Sequence, residues 1–388
     1  MTQSGIPFPS LDTPAVLVNL DQFEANMGEM TKAAAEAGVK LRPHIKVHQS
    51  TIMAKMQIEA GACGVEVGNV DQAAVMAEGG INDIVIAHPF YGERKFEKVR
   101  ELVKSKPELK LTINVDMVEQ AEGLSEVGKA VGKKILVFIK VDTGIKRYGV
   151  LPGTPVLDLA KKLRQLPGIE LKGIYGHESG AVPTDEGVAR IALEVGSIMA
   201  ETARQLRSEG FELETVCVGG SPTFRDTCRY IKEGILKEIT EIHPGQCVIG
   251  DIMYMMGRGN TRETCALTVL TTVVSTSHAN QVIIDAGYKT LGSDSLIGRR
   301  DTPGFFWNGM ANFGPVQGRP DLWLGRLGAE SAWLYYTDPA AKKLSLGERL
   351  EIVPNNATLV VNIHDEIYGV RNGVIEKVIP VNGRGKGS

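Results

Sequence analysis

The chain is poor in cysteine. It has five in 388 residues (Cys63, Cys217, Cys228, Cys247 and Cys265), an odd number with no CxxC spacing. That pattern argues against both a disulfide framework and a zinc knuckle, and most of these thiols are expected to pack as small buried hydrophobes. An excess of either charge is also missing: 43 lysines and arginines stand against 46 acids, a formal net charge of -3. Such a balance provides no basic field for nucleic acid. No apolar run reaches the length of a membrane helix, and the opening MTQSGIPFPS has neither the basic nor the apolar region of a secretory signal. The expectation is a cytoplasmic protein that acts on a small molecule, with neither nucleic acid nor membrane as partner.

What is present is an ordinary globular balance, 43% hydrophobic and 23% charged residues, over a length that favours two domains. From Thr13 to about Gly250, short β-branched runs alternate with helical patterns. TPAVLVNL reads as a strand, followed by a helix with Asp21 as N-cap and Gly38 as C-cap, and VKLRPHIK reads as the next strand. GACGVEVGN, DIVIAHPF, KLTINVD, KILVFIKVD, LKGIYGHES and LETVCVGG continue the rhythm, with a long helix from about Asp185 to Ser208. Eight such runs, each feeding a helix, predict a parallel (β/α)8 TIM-type barrel of the α/β class, with a doubly wound open sheet as the rival. After about Gly250 the texture changes to strands and turns, including CALTVLTTVVSTS, QVIIDAG, NATLVVNI and EIYGVRNGVIEKVIPV. The predicted organisation is a barrel over residues 14–250, a C-terminal antiparallel β-domain over 1–13 and 251–381, and a flexible Gly-rich tail over 382–388.

Three motifs carry chemistry. In LRPHIKVHQS, a strand ending at Lys46 would place an amine at the C-terminal end of a barrel strand, where barrels build their sites. Burial there would favour a Schiff-base lysine, the alternative being a lysine that snorkels into solvent. On such a strand His44 and His48 share a face with Lys46. The second motif, VCVGGSPT, places Gly219 and Gly220 directly after a strand with the hydroxyls of Ser221 and Thr223, which suits a phosphate cradle or else a plain turn. It lacks the Walker lysine and the GxGxxG spacing, so nucleotide binding is not indicated. The third is KVDTGIKRYGV, whose Arg147 is either a carboxylate clamp or a surface residue.

TPAVLVNLDQFEANM, RPHIKVHQS, KVDTGIKRYGV, GIYGHESG, VGGSPT, HPGQCVIGD, DAGYKTLGSD and PNNATLVVNIHD follow one another in an order that resembles the fold type III pyridoxal phosphate enzymes. Within them the resemblance is to the D-threonine aldolase and D-serine dehydratase group, which shares the alanine racemase barrel. It implies that Lys46 carries pyridoxal 5'-phosphate as an internal aldimine. Gly219, Gly220, Ser221 and Thr223 would face the phosphate, joined by Gly245 and Gln246. Tyr175 would lie near the cofactor, Arg147 near its phenolic oxygen or the substrate carboxylate, and His48 would be a general base or hydroxyl partner. A homodimer is implied as well.

One departure concerns the metal. Where the group usually carries a histidine and then a cysteine or aspartate as ligands, this chain has Asn356 and Thr358, which are poor ligands for zinc or manganese. The segment around Glu330 also lacks a histidine found in relatives. A displaced site at His364 and Asp365, with Glu366 adjacent, is the alternative, and the need for a divalent metal stays open. The implied function is a lyase that cleaves D-threonine-like β-hydroxy-α-amino acids to glycine and an aldehyde. Dehydration of D-serine or D-3-hydroxyaspartate, or racemisation, is the alternative on the same scaffold. A non-catalytic cofactor carrier and a barrel enzyme without pyridoxal phosphate are more distant ones.

Overall fold

The computed structural model describes residues 6–178, 184–256, 262–295 and 306–387. Parts of the expected β-domain (1–5, 257–261 and 296–305) and Ser388 of the expected tail lie outside the described residues. The chain divides into two compact units, one of residues 27–245 with 386–388, the other of 1–26 with 246–385.

The unit of residues 27–245 is built on eight parallel strands in the order Lys40–Leu41, Glu241–Ile242, Thr215–Gly219, Ile169–His177, Ile135–Val141, Lys110–Val115, Asp83–Ile86 and Val65–Val67. A parallel bridge between His44 and Glu66 joins the two ends of that order, so the sheet closes into a barrel rather than remaining a doubly wound open sheet. Helices Thr51–Glu59, Val70–Glu78, Glu93–Ser105, Val118–Val131, Thr154–Leu163, Asp185–Ser208 and Phe224–Lys232 return the chain between strands. Their ends follow local chemistry: the Asn69 side chain accepts the Gln72 amide N–H at 3.0 Å, and Thr184 accepts that of Gly187 at 3.0 Å. The strands are almost wholly buried, and Val85, Phe138, Tyr175 and Cys217 pack as one apolar cluster from four of them. The buried Cys217 thus behaves as the small hydrophobe expected of it.

The other unit holds a mostly antiparallel sheet. The strand Leu267–His278 pairs antiparallel with Ala15–Asn19, Gln281–Ile284 and Arg349–Ile352, and Glu366–Arg371 pairs with Val374–Pro380. No helix among the described residues is long and apolar enough to cross a membrane.

Four local expectations are corrected. Ala15–Asn19 is not the first barrel strand but joins this second sheet, parallel to Glu366–Arg371; Glu241–Ile242 supplies the eighth barrel strand instead. The cap of helix Leu20–Ala37 is Asn19, whose side chain accepts the Gln22 N–H, and Asp21 lies within the first turn. The run VKLRPHIK is a strand only over Lys40–Leu41, and Ile45–Val47 is a 3-10 turn. NATLVVNI is a helix over Ala357–Asn362, because Asn356 caps it through Leu359 N–H and local capping outweighs the β-branched composition.

Glycine packing gives a direct check. A Cβ on Gly128 in helix Val118–Val131 would overlap the Gly168 carbonyl, whereas one on Gly28 in helix Leu20–Ala37 meets nothing within 4 Å. In urea denaturation, Gly128→Ala is expected to destabilise by about 1–3 kcal/mol. Gly28→Ala should stabilise by about 0.5–1 kcal/mol.

Candidate active site

The turn after Lys40–Leu41 makes Lys46 distinctive. Its neighbours from Leu41 to Ser50 are all buried and Lys46 alone is exposed. His44 fixes the turn, its Nδ1 accepting the Lys46 backbone N–H at 3.2 Å. Burial pushes the imidazoles of His44, His88 and His177 below their ordinary range, and the Lys46 charge acts in the same direction on all three. Lys46 therefore sits at the C-terminal end of the barrel, among the histidines that end or follow strands Asp83–Ile86 and Ile169–His177.

Below them lies a buried layer of charge. Arg42 donates from Nε to Glu241 Oε1 at 2.6 Å and from Nη1 to Asp83 Oδ1 at 2.7 Å. His243 Nε2 lies 2.7 Å from the same Glu241 oxygen, and its Nδ1 lies 3.5 Å from Glu66 Oε2. Burial favours the neutral forms here, but the charges win. The His243 hydrogen bond and the cations hold Glu241 down at about 2. His44 and His243 hold Glu66 below the carboxylate range, and Cys217, Glu66 and Glu241 push His243 well above its own. Next in the layer, Lys140 donates to the Ala87 carbonyl at 3.1 Å and stands 3.4 Å over the Tyr175 ring. Burial, opposed by Glu66, brings Lys140 down to about 8. Tyr175 also meets His243 edge-on at 5.2 Å, and burial pushes its phenol well up.

The glycine loop closes against this layer. A Cβ on Gly219 would lie 2.8 Å from the Tyr175 hydroxyl, one on Gly220 would overlap Thr223 and Glu178, and one on Gly245 would crowd the His44 carbonyl at 2.5 Å. These positions need glycine because backbone or side chain approaches closely. Gly245 N–H donates to Ser221 Oγ at 3.0 Å, tying the two loops together. The Thr223 hydroxyl is turned inward, donating to Glu178 Oε2 at 2.7 Å. Gln246, in the other unit, donates from Nε2 to Asp251 at 2.6 Å. Arg147 is exposed, its guanidinium 5.4 Å from the Tyr148 ring.

His48 does not meet its expected role. It is fully buried, its Nδ1 accepts the Ser50 N–H at 3.2 Å, and its Nε2 lies 3.1 Å from Gln57 Oε1, so both ring nitrogens are occupied internally. The expectation rested on alternating faces of a strand, and the chain there is a turn. His88 is the better placed imidazole: half-buried, 5.5 Å from Tyr148, and lining a cavity of about 170 Å³ with Phe90, Lys95, Lys98 and Tyr148. A larger cavity of about 740 Å³, lined by Glu170, Lys172 and Glu214, lies at the opposite, N-terminal ends of the strands.

The metal donors do not assemble. Asn356 accepts from Leu359 N–H and donates to Asp294 at 3.1 Å, so its amide serves the helix cap. His364 Nε2 faces the Thr290 carbonyl at 3.0 Å, Asp365 pairs with Arg384, and Glu366 accepts from Tyr368 at 2.6 Å. Glu330 pairs with Lys289. Each of these groups has a partner of its own, and no cluster of three such ligands occurs among the described residues. The amide of Asn356 and the hydroxyl of Thr358 are poor donors for a divalent cation. The cofactor fares differently: an exposed lysine in a buried turn, beside close-packed glycines and a hydroxyl-bearing loop, fits pyridoxal phosphate.

Sequence reasoning passed over Glu66, His88, Lys140, His177, Glu178 and His243. A signal was present, because IVIAH, VFIK, IYGH and EIH each end an apolar run with an ionisable residue at the mouth of the barrel.

Residues 18–252 match the family model for the alanine racemase N-terminal domain, and residues 266–370 match a serine dehydratase domain. The D-threonine aldolase of Arthrobacter sp is 30% identical, over 99% of this chain and 95% of that protein. The D-threo-3-hydroxyaspartate dehydratase of Delftia sp. (strain HT23) is 29% identical, over 90% of this chain and 91% of that protein. The crystal structure of D-threonine aldolase from Filomicrobium marinum superposes with a TM-score of 0.86 at 29% identity, covering 100% of this chain and 99% of that one.

Removing Arg42 takes from Glu241 one of its two buried counter-charges and leaves His243, so Arg42→Ala is expected to cost about 3–5 kcal/mol at pH 7. Glu241 is held below its ordinary 4.5, so the stability it contributes is present above that value and lost as pH falls toward about 2. In the variant the Glu241 carboxyl, with one counter-charge fewer, protonates at higher pH. Urea denaturation should therefore show the Arg42→Ala deficit shrinking between pH 7 and pH 3.

Proposed function

The chain belongs to the family of the alanine racemase N-terminal domain, and from that premise we propose that it is a pyridoxal phosphate-dependent lyase cleaving D-β-hydroxy-α-amino acids of the D-threonine type. The observation that carries this reading is the exposed Lys46 above a buried charge layer and beside the Gly219–Gly220 loop. Lys46 would hold the cofactor carbonyl, and Gly219, Gly220, Ser221 and Gly245 its phosphate, with Thr223 and Gln246 as supporting positions. Tyr175 would form the floor under the ring. Arg147 would clamp a carboxylate, and its exposed guanidinium has the reach to do so. The reading also takes the protein as a cytoplasmic homodimer acting on a small amino acid, as the resemblance implies.

Pyridoxal phosphate, when bound, supplies an electron sink for a carbanion at Cα. The chain's own residues decide which bond gives way. Burial and the nearby cations keep His88 below its ordinary value, hence neutral and able to accept a proton at pH 7. We assign His88 the β-hydroxyl proton. As that proton leaves, the electron pair of the O–H bond forms the second bond of the aldehyde carbonyl, the Cα–Cβ bond breaks, and its pair stays at Cα. A proton returned to Cα completes glycine. Lys140, shifted to about 8 by burial, keeps a positive charge beneath the site through neutral pH.

A second reading, loss of the hydroxyl to give a keto acid and ammonia, is favoured by the match of residues 266–370 to a serine dehydratase domain. Purified protein given D-threonine should release acetaldehyde and glycine, and do so after treatment with a chelator. Pyruvate from D-serine as the dominant product would instead establish the dehydratase. Lys46→Ala should abolish the absorbance band of bound cofactor together with turnover. His88→Ala should lower kcat by about 10²–10⁴-fold. His48→Asn, by contrast, should leave kcat within a few fold and lower the unfolding midpoint, which steady-state assays and thermal melts distinguish.

A further inference from the structure

Glu178 is the first residue beyond the strand Ile169–His177, and it is only 4% exposed. Its backbone N–H donates to the Gly219 carbonyl at 2.7 Å. Its Oε2 accepts the Thr223 hydroxyl at 2.7 Å and its Oε1 that of Thr227 at 2.6 Å. A Cβ on Gly220 would lie 2.7 Å from the Glu178 Cβ. One residue thus fastens both sides of the glycine loop, its backbone N–H holding the strand end and its carboxylate the first turn of helix Phe224–Lys232.

Its environment is unusual for a carboxylate. Among the described residues, no lysine, arginine or histidine lies within ion-pair distance of Glu178. The titratable groups that face it are Asp226 and Cys228 of helix Phe224–Lys232, and Asp226 is itself paired with Arg229 at 3.0 Å. A phosphate brought to the Gly219–Thr223 loop would therefore add negative charge beside an acid that has hydroxyl partners and no cation. Like charges so placed do not both stay ionised. The geometry offers a second reason for protonation. With Glu178 ionised, the Thr223 O–H points inward to it. With Glu178 protonated, the carboxyl can itself donate, and the Thr223 O–H is released to turn toward the phosphate.

We propose that Glu178 is a positioning residue of the cofactor site, taking up one proton when the cofactor phosphate binds and thereby handing the Thr223 hydroxyl to that phosphate. The inference rests on the reading of Gly219 to Thr223 as the phosphate cradle. Burial pushes the Glu178 carboxyl up to about 7, so the uptake falls in an accessible range. Phosphate binding favours the protonated form. Affinity is therefore full below about pH 7 and declines above it, by up to about tenfold per pH unit for one linked proton.

The test compares pyridoxal phosphate with pyridoxal on the full chain stripped of cofactor, by absorbance titration from pH 7 to pH 9. This window lies above the second phosphate ionisation, near about 6. Lys46 and Lys140 affect both ligands alike, so their contributions cancel in the ratio of the two affinities. In the wild type that ratio should fall by up to about tenfold per unit. In Glu178→Gln, whose amide mimics the protonated acid, it should be flat. Calorimetry of the wild type at pH 8 in two buffers of different ionisation enthalpy gives an independent readout, with more protons taken up for pyridoxal phosphate than for pyridoxal. Equal proton uptake for the two ligands, or the same pH slope in Glu178→Gln as in the wild type, overturns the proposal. A wild type that binds pyridoxal phosphate no better than pyridoxal at any pH sinks the cradle reading itself.

Discussion

Arg42, Glu241, His243 and Glu66 form a line of alternating charge, and the barrel depends on it. The first follows strand Lys40–Leu41, the next two belong to or follow Glu241–Ile242, and the last belongs to Val65–Val67, so the line runs across the seam where the sheet closes. Charges buried this deeply are costly unless each has an opposite neighbour. Every member has one, and removing any of them takes a counter-charge from a neighbour that stays buried. The seam is consequently held in a single register beside the turn that exposes Lys46. Stability and site geometry share the same residues.

Much of this was legible from residue patterns, and the failures have physical causes. The long helix Asp185–Ser208 was readable because Thr184 and its acidic first turn mark a start that the periodicity then sustains. The family was readable from the ordering of motifs. His48 was misassigned because the period-two argument presupposes a strand, and Pro43 and the turn after it interrupt one. Ala15–Asn19 looks like any buried parallel strand, and nothing local says which of two sheets will take it. The line of charge could not be read, since its members come from positions nearly two hundred residues apart and only closure of the sheet brings them together.

The C-terminal half offers a different lesson about donor chemistry. Asn356 caps a helix and Asp294 accepts its amide, so a position that could in principle present a ligand to a cation has become part of a hydrogen-bonded turn. If the chain is the aldolase proposed here, the work of accepting the β-hydroxyl proton rests on an imidazole at the barrel mouth. The barrel mouth holds several of them, all pushed below their ordinary range by burial and by the lysines around them.

The pairing of Lys40–Leu41 with Glu241–Ile242 spans about two hundred residues of chain. At bacterial-like elongation rates of about 5–20 residues per second, the first barrel strand waits on the order of 10–40 s for its neighbour to be made. During that interval the edge of Lys40–Leu41 and the charges destined for the seam stand open to solvent. Closure is a non-local event of high loop entropy, which places this barrel among slow folders and makes the nascent chain, rather than the finished enzyme, the form most exposed to aggregation.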